Sequence, residues 1–552
     1  MEIYCKNNGV RREYERGIML TEVFQSLDLD FQGKPVCALV NNKIEGLKYR
    51  VYNSKQVEFL TIDSEPGRKV YMRSMTFVLY KAVEELYPKA QLTVVAPASH
   101  GYFFKLKIEN DNGEIVPVTL EISQRLKHRM SEIISEQHHF HRIEAPTEDV
   151  ARLFRERHLE SKAKLIEGTR MIYSYYYLLD KTIDYYYGPL VPSTDFLDDF
   201  DLVKYYDGLL LRIPNHGKFP EIVKQEKMLR AFDESHKLLE KGNVTTIGEL
   251  NDLTRKGLSG YAIMVAEALQ EKKISKIAEQ IAERPSVKVV LVAGPSSSGK
   301  TTFSKRLCVQ LMACGRLPRL ISLDDYFVDR EKTPIDENGD FDYESIYALN
   351  LDKFQDDLTR LLAGEEVELP VYNFVEGRSE MSGKKLRLDD DTVLVMEGIH
   401  GLNPLMSERV PEECKFRIYV SALTSIKLDS HNYIPPSDNR LIRRIVRDNK
   451  YRGASAIDTI ARWPSVRRGE ERWIFPFQEN ADVMFNSALI YELAVLRDHA
   501  LPLLESVGEN RPEHTLADAL SKFLRYIEPI SDKDLPPTSL LREFLGGSSF
   551  KY

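Results

Sequence analysis

Short apolar runs alternate with turns through the first 65 residues: MEIYC, a polar break, then VCALVNNKIEG and VEFLTI. That rhythm predicts a small β-rich unit with one helix near Leu20–Ser26. From about Arg68 to Tyr87, Val70, Met75, Val78, Leu79, Ala82 and Leu86 recur at helical spacing. Strand-like LTVVAPA and YFFKLKI follow, then the helical run ISQRLKHRMSEIISEQ. A polar, helix-patterned stretch from about Pro220 to Glu283 leads into the second half. There the pattern changes. VKVVLVAG, LPRLISLDD, TVLVMEG, FRIYVSA and ADVMFNSA are apolar throughout and separated by helix-patterned segments, as strands of a parallel α/β sheet buried on both faces must be. Functional side chains of such a sheet gather at the carboxyl ends of its strands.

Composition narrows the classes. A chain of 552 residues exceeds one hydrophobic core, so several domains are expected. A formal net charge of -8 argues against a whole-protein nucleic-acid or membrane-surface binder. The N-terminus MEIYCKNNGV lacks the apolar stretch of a signal peptide, and no apolar run is long enough to span a bilayer. Cys5, Cys37, Cys308, Cys314 and Cys414 are scattered, with no C-x-x-C pair. A reduced, cytoplasmic protein is expected. His139 and His141 would share a strand face beside His138, but no fourth ligand lies near, so they read as solvated or hydrogen-bonded. The tyrosines at 173–177 and 185–187 read as packing of a helix face rather than a nucleotide-stacking platform.

The chemistry begins at VKVVLVAGPSSSGKTTFSKRL, a strand, a glycine-bounded loop and a helix start. Residues Gly294, Pro295, Ser296, Ser297, Ser298, Gly299, Lys300 and Thr301 satisfy G-x-x-x-x-G-K-[ST], and Thr302 follows. The glycines let backbone N–H groups turn inward around phosphate oxygens at the positive end of the next helix. Lys300 supplies a point charge to the β- and γ-phosphates of ATP, and the Thr301 hydroxyl is a ligand for Mg²⁺.

Asp324 and Asp325 end the next strand. A carboxylate there can orient an acceptor hydroxyl, take up its proton or hold Mg²⁺. Glu397 closes TVLVME, where a carboxylate holds magnesium through oxygen or water. The segment NRLIRRIVRDNKYRG carries Arg440, Arg443, Arg444, Arg447 and Arg452. On a helix Arg440, Arg444 and Arg447 share a face that can converge on a transferring phosphate when a lid closes.

With these residues in hand, the second half resembles the uridine kinase and phosphoribulokinase family of P-loop kinases. GPSSSGKTT, SLDDYF, FDYESIYALN, LPVYNF, VLVMEGIHGL and RRIVRDNKYRG carry the resemblance, in the family's order over about 200 residues. It implies an ATP- and Mg²⁺-dependent transfer to a small hydroxylated acceptor, a nucleoside first of all. Asp324 looks like the catalytic aspartate, acting with Lys300, and Glu397, Thr301 and Asp324 like the metal-associated groups. Asp342 falls where the family binds ribose hydroxyls, and Tyr372 and Phe374 on its nucleoside-binding loop. Arg444 and Arg447 look like lid arginines, with Arg452 beside the acceptor. Two positions depart: Gly377 stands where pyrimidine-nucleoside kinases carry a base-contacting histidine, and Ala454 where they carry a second lid arginine after Arg452. Arg462 is near enough in sequence to restore part of that clamp. A sugar or sugar phosphate is the competing acceptor.

The first half resembles the leading domains of threonyl-tRNA synthetase. MEIYCKNNGVRREYERGIMLTEVFQSL and VEFLTIDSEPG look like its small, β-grasp-like TGS domain, and LYPKAQL, SHGYFFKLKI and YYYGPLVPST like its α+β editing domain. At the positions of that domain's H-x-x-x-H and C-x-x-x-H pairs this chain has Arg73, Phe77, Tyr186 and Leu190, so no editing chemistry is expected. The expected division is 1–65 TGS-like, 66–220 editing-like and inactive, 221–285 helical linker, 286–505 kinase and 506–552 tail, whose SLLREFL reads as a short docking helix. The first half adds RNA as a candidate partner, and with it an RNA- or ribosome-associated regulator as the alternative function. No membrane contact is expected, and an oligomer remains open.

Overall fold

The computed structural model describes every residue except 30–32, 111, 338, 374–375 and 552. Phe374 therefore lies outside the described residues. At the N-terminus a five-stranded sheet in the order Arg11–Glu13, Glu2–Cys5, Lys55–Leu60, Cys37–Val40, Lys43–Glu45 packs on the helix Leu20–Ser26. The next unit sets the helices Glu65–Leu86 and Leu120–Ser135 against an antiparallel sheet built on Gln91–Ala98 and Gly101–Glu109. A separate three-stranded sheet contains Phe140–Pro146, Tyr173–Leu179 and Thr182–Asp184. The tyrosine run at 173–177 is thus a strand, not a helix. Tyrosine favours strands, and here Tyr177 and Leu179 turn into the core.

In the second half, strands β1 (Val289–Ala293), β2 (Leu317–Ser322), β3 (Thr392–Glu397), β4 (Lys415–Ser421) and β5 (Val483–Asn486) form one parallel sheet. Their spatial order is β2-β3-β1-β4-β5, which places β1 at the centre with β3 and β4 beside it. Every residue of β1 is buried, as a central parallel strand requires. Helix α1 (Lys300–Ala313) leaves the end of β1, and α2 (Pro436–Arg452) and α3 (Ala456–Trp473) lie between β4 and β5 in sequence.

The stretch at 221–285 is no free linker. Ile274, Ile277 and Ile281 of the helix Ser259–Ala282 belong to the same core as Phe303 and Leu307 of α1. That core also takes in Leu540, Leu541, Phe544 and Leu545 of the tail, where SLLREFL forms only the single turn α4 (Arg542–Leu545) and a longer helix spans His514–Leu524.

A buried ionic cluster joins the halves. Lys162 Nζ lies 2.6 Å from Asp184 and 2.8 Å from Asp429, all three side chains fully buried. His431 Nδ1 sits 2.7 Å from the other Asp184 oxygen, and Asn432 donates to Asp429 at 2.7 Å. Burial alone would raise the Asp184 carboxyl, yet His431 and Lys162 hold it well below the usual carboxylate range. Asp429, His431 and Asn432 come from the segment between β4 and α2, whereas Lys162 and Asp184 come from the N-terminal half.

Candidate active site

The loop between β1 and α1 has the backbone a phosphate cradle needs. Gly294 adopts φ +156°, and a Cβ there would run into the Val420 carbonyl of the neighbouring strand. Gly299 adopts φ +84° as the residue before α1, so the helix opens directly onto the loop. The Ser297 and Ser298 hydroxyls are buried, and among the described residues neither has a hydrogen-bond partner. Two such hydroxyls next to a helix N-terminus are donors waiting for an anion. Lys300 Nζ donates to the Pro295 carbonyl at 3.2 Å.

Two acids face this loop. The Thr301 hydroxyl donates to Glu397 Oε1 at 3.0 Å, at the end of β3. Burial pushes the Glu397 carboxyl up to about 7, although Lys300 pulls it down. Asp324 stands in the 3₁₀ turn Leu323–Tyr326 after β2, where the Ser322 hydroxyl accepts its backbone N–H. Asp324 keeps part of its surface exposed, yet desolvation by the surrounding protein raises its pKa against the pull of Lys300, Arg452 and Arg447. Thr301, Glu397 and Asp324 thus offer hard oxygen donors, and a carboxyl held near neutrality beside a hydroxyl fits a divalent cation.

The arginines of α2 divide into two groups. Arg444 Nη1 donates to Ser296 Oγ at 2.9 Å and so touches the cradle. Arg447 and Arg452 pair with Asp448 at 2.8 and 3.6 Å. Arg440 is not a phosphate ligand. It is buried in a two-pronged ion pair with Glu470 of α3 and donates to the Ser296 carbonyl at 2.9 Å. Arg443 is buried likewise, against Glu492 and Ser487. Both buttress the cradle from behind, because a buried guanidinium needs its charge and donors met.

On the acceptor side, Asp342 accepts the Glu344 backbone N–H at 3.2 Å, closing its own turn. Tyr372 is buried, its ring tilted against Phe327 at 5.5 Å, so it belongs to the core beneath the loop rather than to an open aromatic wall. Two neighbours the sequence did not single out stand closer to the chemistry. Burial raises the Glu344 carboxyl to about 7, with Arg444, Lys300 and Asp324 all acting on it. Arg330 accounts for Gly377: any Cβ at that position would meet the Arg330 guanidinium carbon at 2.7 Å. The Arg330 backbone N–H also bonds to the Gly377 carbonyl at 2.8 Å. The base-contacting histidine of the resembling kinases would collide with this arginine. Ala454 packs behind the end of α2, its N–H on the Asp448 carbonyl at 3.2 Å, and Arg462 lies on α3.

In the N-terminal half the four altered positions come together. Arg73 donates to the Tyr187 and Pro189 carbonyls at 3.4 and 3.2 Å. Phe77 packs on Tyr186 at 5.6 Å, and Leu190 lies in the same core. Apolar packing and a satisfied guanidinium fill that place. His138 bonds to Glu136 at 2.7 Å, and among the described residues no three His, Cys, Asp or Glu side chains group as a metal would require. No described helix is long and apolar enough to cross a membrane.

Residues 289–492 match the family model described as Phosphoribulokinase / Uridine kinase family. Over that stretch the second half has the P-loop kinase fold and is similar to the kinases of that family. The first half is similar to threonine--tRNA ligases. The ligase of Clostridium kluyveri is 28% identical over 189 residues, covering 34% of this chain and 29% of its own. That of Desulforamulus reducens is 30% identical over 205 residues, covering 37% and 31%. The chain thus spans under a third of the length of these ligases. Among solved structures, a possible uridine kinase from Bacillus stearothermophilus is 19% identical. It covers 36% of this chain and 88% of its own, with a TM-score of 0.23, too low to bear on the fold.

Proposed function

We propose that the second half transfers the γ-phosphate of ATP, with Mg²⁺, to a hydroxyl of a nucleoside whose base is read differently from a pyrimidine. The observation that carries this reading is the acidic wall opposite the cradle, where Asp324 and Glu344 share the electrostatic field of Lys300. A nucleotide switch has no use for a second carboxyl beyond the γ-phosphate position. In this reading Asp324 takes the acceptor proton while Lys300 and Arg444 hold the phosphates in place. Mg²⁺, held by Thr301 and Glu397 with Asp324, would neutralise charge on the phosphates. Glu344, its proton retained near neutral pH, donates to an acceptor oxygen.

In this reading Arg330, packed against Gly377, borders the acceptor's far end. A guanidinium offers two parallel donors, which match two acceptor atoms on a purine edge or the oxygens of a phosphate. The decisive measurement is kcat/KM across uridine, cytidine, the purine nucleosides, free sugars and sugar phosphates. We expect purine nucleosides to be used within about a thousandfold of uridine or better, and Arg330→Ala to cost them about ten- to a hundredfold. Turnover confined to sugar phosphates would transfer the assignment to that class. The first half, with its former catalytic positions filled, then supports the kinase rather than editing.

A pH dependence follows from the same acids. Glu397 and Glu344 have folded pKa values raised to about 7 from an ordinary 4.5. The native state therefore binds more protons than the unfolded chain between those values, and stability falls as pH rises through that window. Thermal melts of the ligand-free protein at pH 5.5 and 7.5 should show the higher Tm at pH 5.5, with a smaller gap in Glu397→Gln. An identical gap in that variant would remove Glu397 as a source.

A further inference from the structure

The tail meets the cradle at its most sensitive point. Glu543 Oε2 accepts the Thr302 hydroxyl at 2.7 Å and the Thr302 backbone N–H at 3.2 Å. Thr302 is the third residue of α1, so its N–H is one of the helix's unsatisfied N-terminal donors. The carboxylate therefore occupies the kind of position a nucleotide phosphate takes. Leu540 closes over the loop from the same side, with Leu540 Cδ2 only 2.5 Å from where a Cβ on Gly299 would stand. Further contacts fix the strap. Lys450 at the end of α2 donates to the Leu545 carbonyl, Lys305 of α1 donates to the Lys551 carbonyl, and the Arg443 guanidinium lies 5.2 Å from the Phe544 ring centroid.

We propose that the C-terminal strap is a built-in competitor for the nucleotide: Glu543 acts as a resident anion on the Thr302 donors, and an incoming phosphate must displace it. Leu540, Leu541, Phe544 and Leu545 are buried anchors, so the strap stays docked while the half-exposed Glu543 side chain swings out. The same carboxylate also adds to the negative field on Glu397. The arrangement sets a threshold, in that the cradle stays closed to weak or dilute anions and opens to a polyphosphate that makes many contacts at once.

The inference rests on the reading that the cradle holds nucleotide phosphates, so its test uses binding rather than turnover. ADP with Mg²⁺ is titrated calorimetrically into the full-length wild type and into Glu543→Gln, which keeps the shape and loses the charge. Equal Tm values for the two free proteins check the fold. The expected result is about three- to tenfold tighter ADP binding by the variant. Equal or weaker binding by the variant would overturn the competitor role alone. Failure of both proteins to bind ADP would overturn the nucleotide reading and this inference with it.

Discussion

Asp324→Asn should reduce phosphoryl transfer by about a hundred- to ten-thousandfold while leaving ATP binding nearly intact, the range a general base contributes. Asn keeps the volume and the 3₁₀ turn that the Ser322 hydroxyl caps, but it cannot take a proton. The Lys300 charge partly offsets the desolvation that raises the Asp324 pKa. Lys300→Ala should behave differently, losing turnover and nucleotide affinity together, because the lysine meets the phosphates before the reaction as well as during it. Calorimetry with ATP and single-turnover assays separate the two. Near-normal turnover in Asp324→Asn would sink the assignment.

Lys162→Met should be strongly destabilising. It leaves Asp184 and Asp429 buried without their shared cation, a situation that costs about 3–5 kcal/mol. A fall in Tm on the order of 5–10 °C follows for a protein of several coupled units. Changing Lys162, Asp184 and Asp429 together to Met, Asn and Asn should recover much of the loss, since no carboxylate then remains unpaired. An unchanged Tm in the single variant would mean that water or His431 already neutralises the cluster.

The cradle was legible in the sequence because its requirement is local: glycine at two fixed positions, a lysine and a hydroxyl, between a strand and a helix. The five parallel strands were legible for a related reason, since burial on both faces leaves unbroken apolar runs such as VVLVA. What could not be read depends on partners far along the chain. Arginine spacing placed Arg440 on a phosphate-facing side, but its partner Glu470 is 30 residues on, and Glu492, which meets Arg443, is 49 residues on. The tyrosines at 173–177 satisfy either period, and strand pairing with Phe140–Pro146 settled the matter. Glu344 lies two residues from Asp342 in the same FDYESIY segment, so its carboxylate was visible in the sequence, but its burial beside Arg444 and Lys300 was not. Glu543 had no local signal, for its partner Thr302 is 241 residues away.

The cluster of Lys162, Asp184, Asp429 and His431 also bears on the history of the molecule. Two of its four side chains come from each half, so Asp429 has its lysine only while the halves stay together. Splitting the gene would strand an aspartate pair on opposite products, each shorn of the lysine or the loop that neutralised it. Once such a bond is buried, parting the halves leaves charges uncompensated whatever either half does alone. The synthetase-like half then persists as the keel of a kinase.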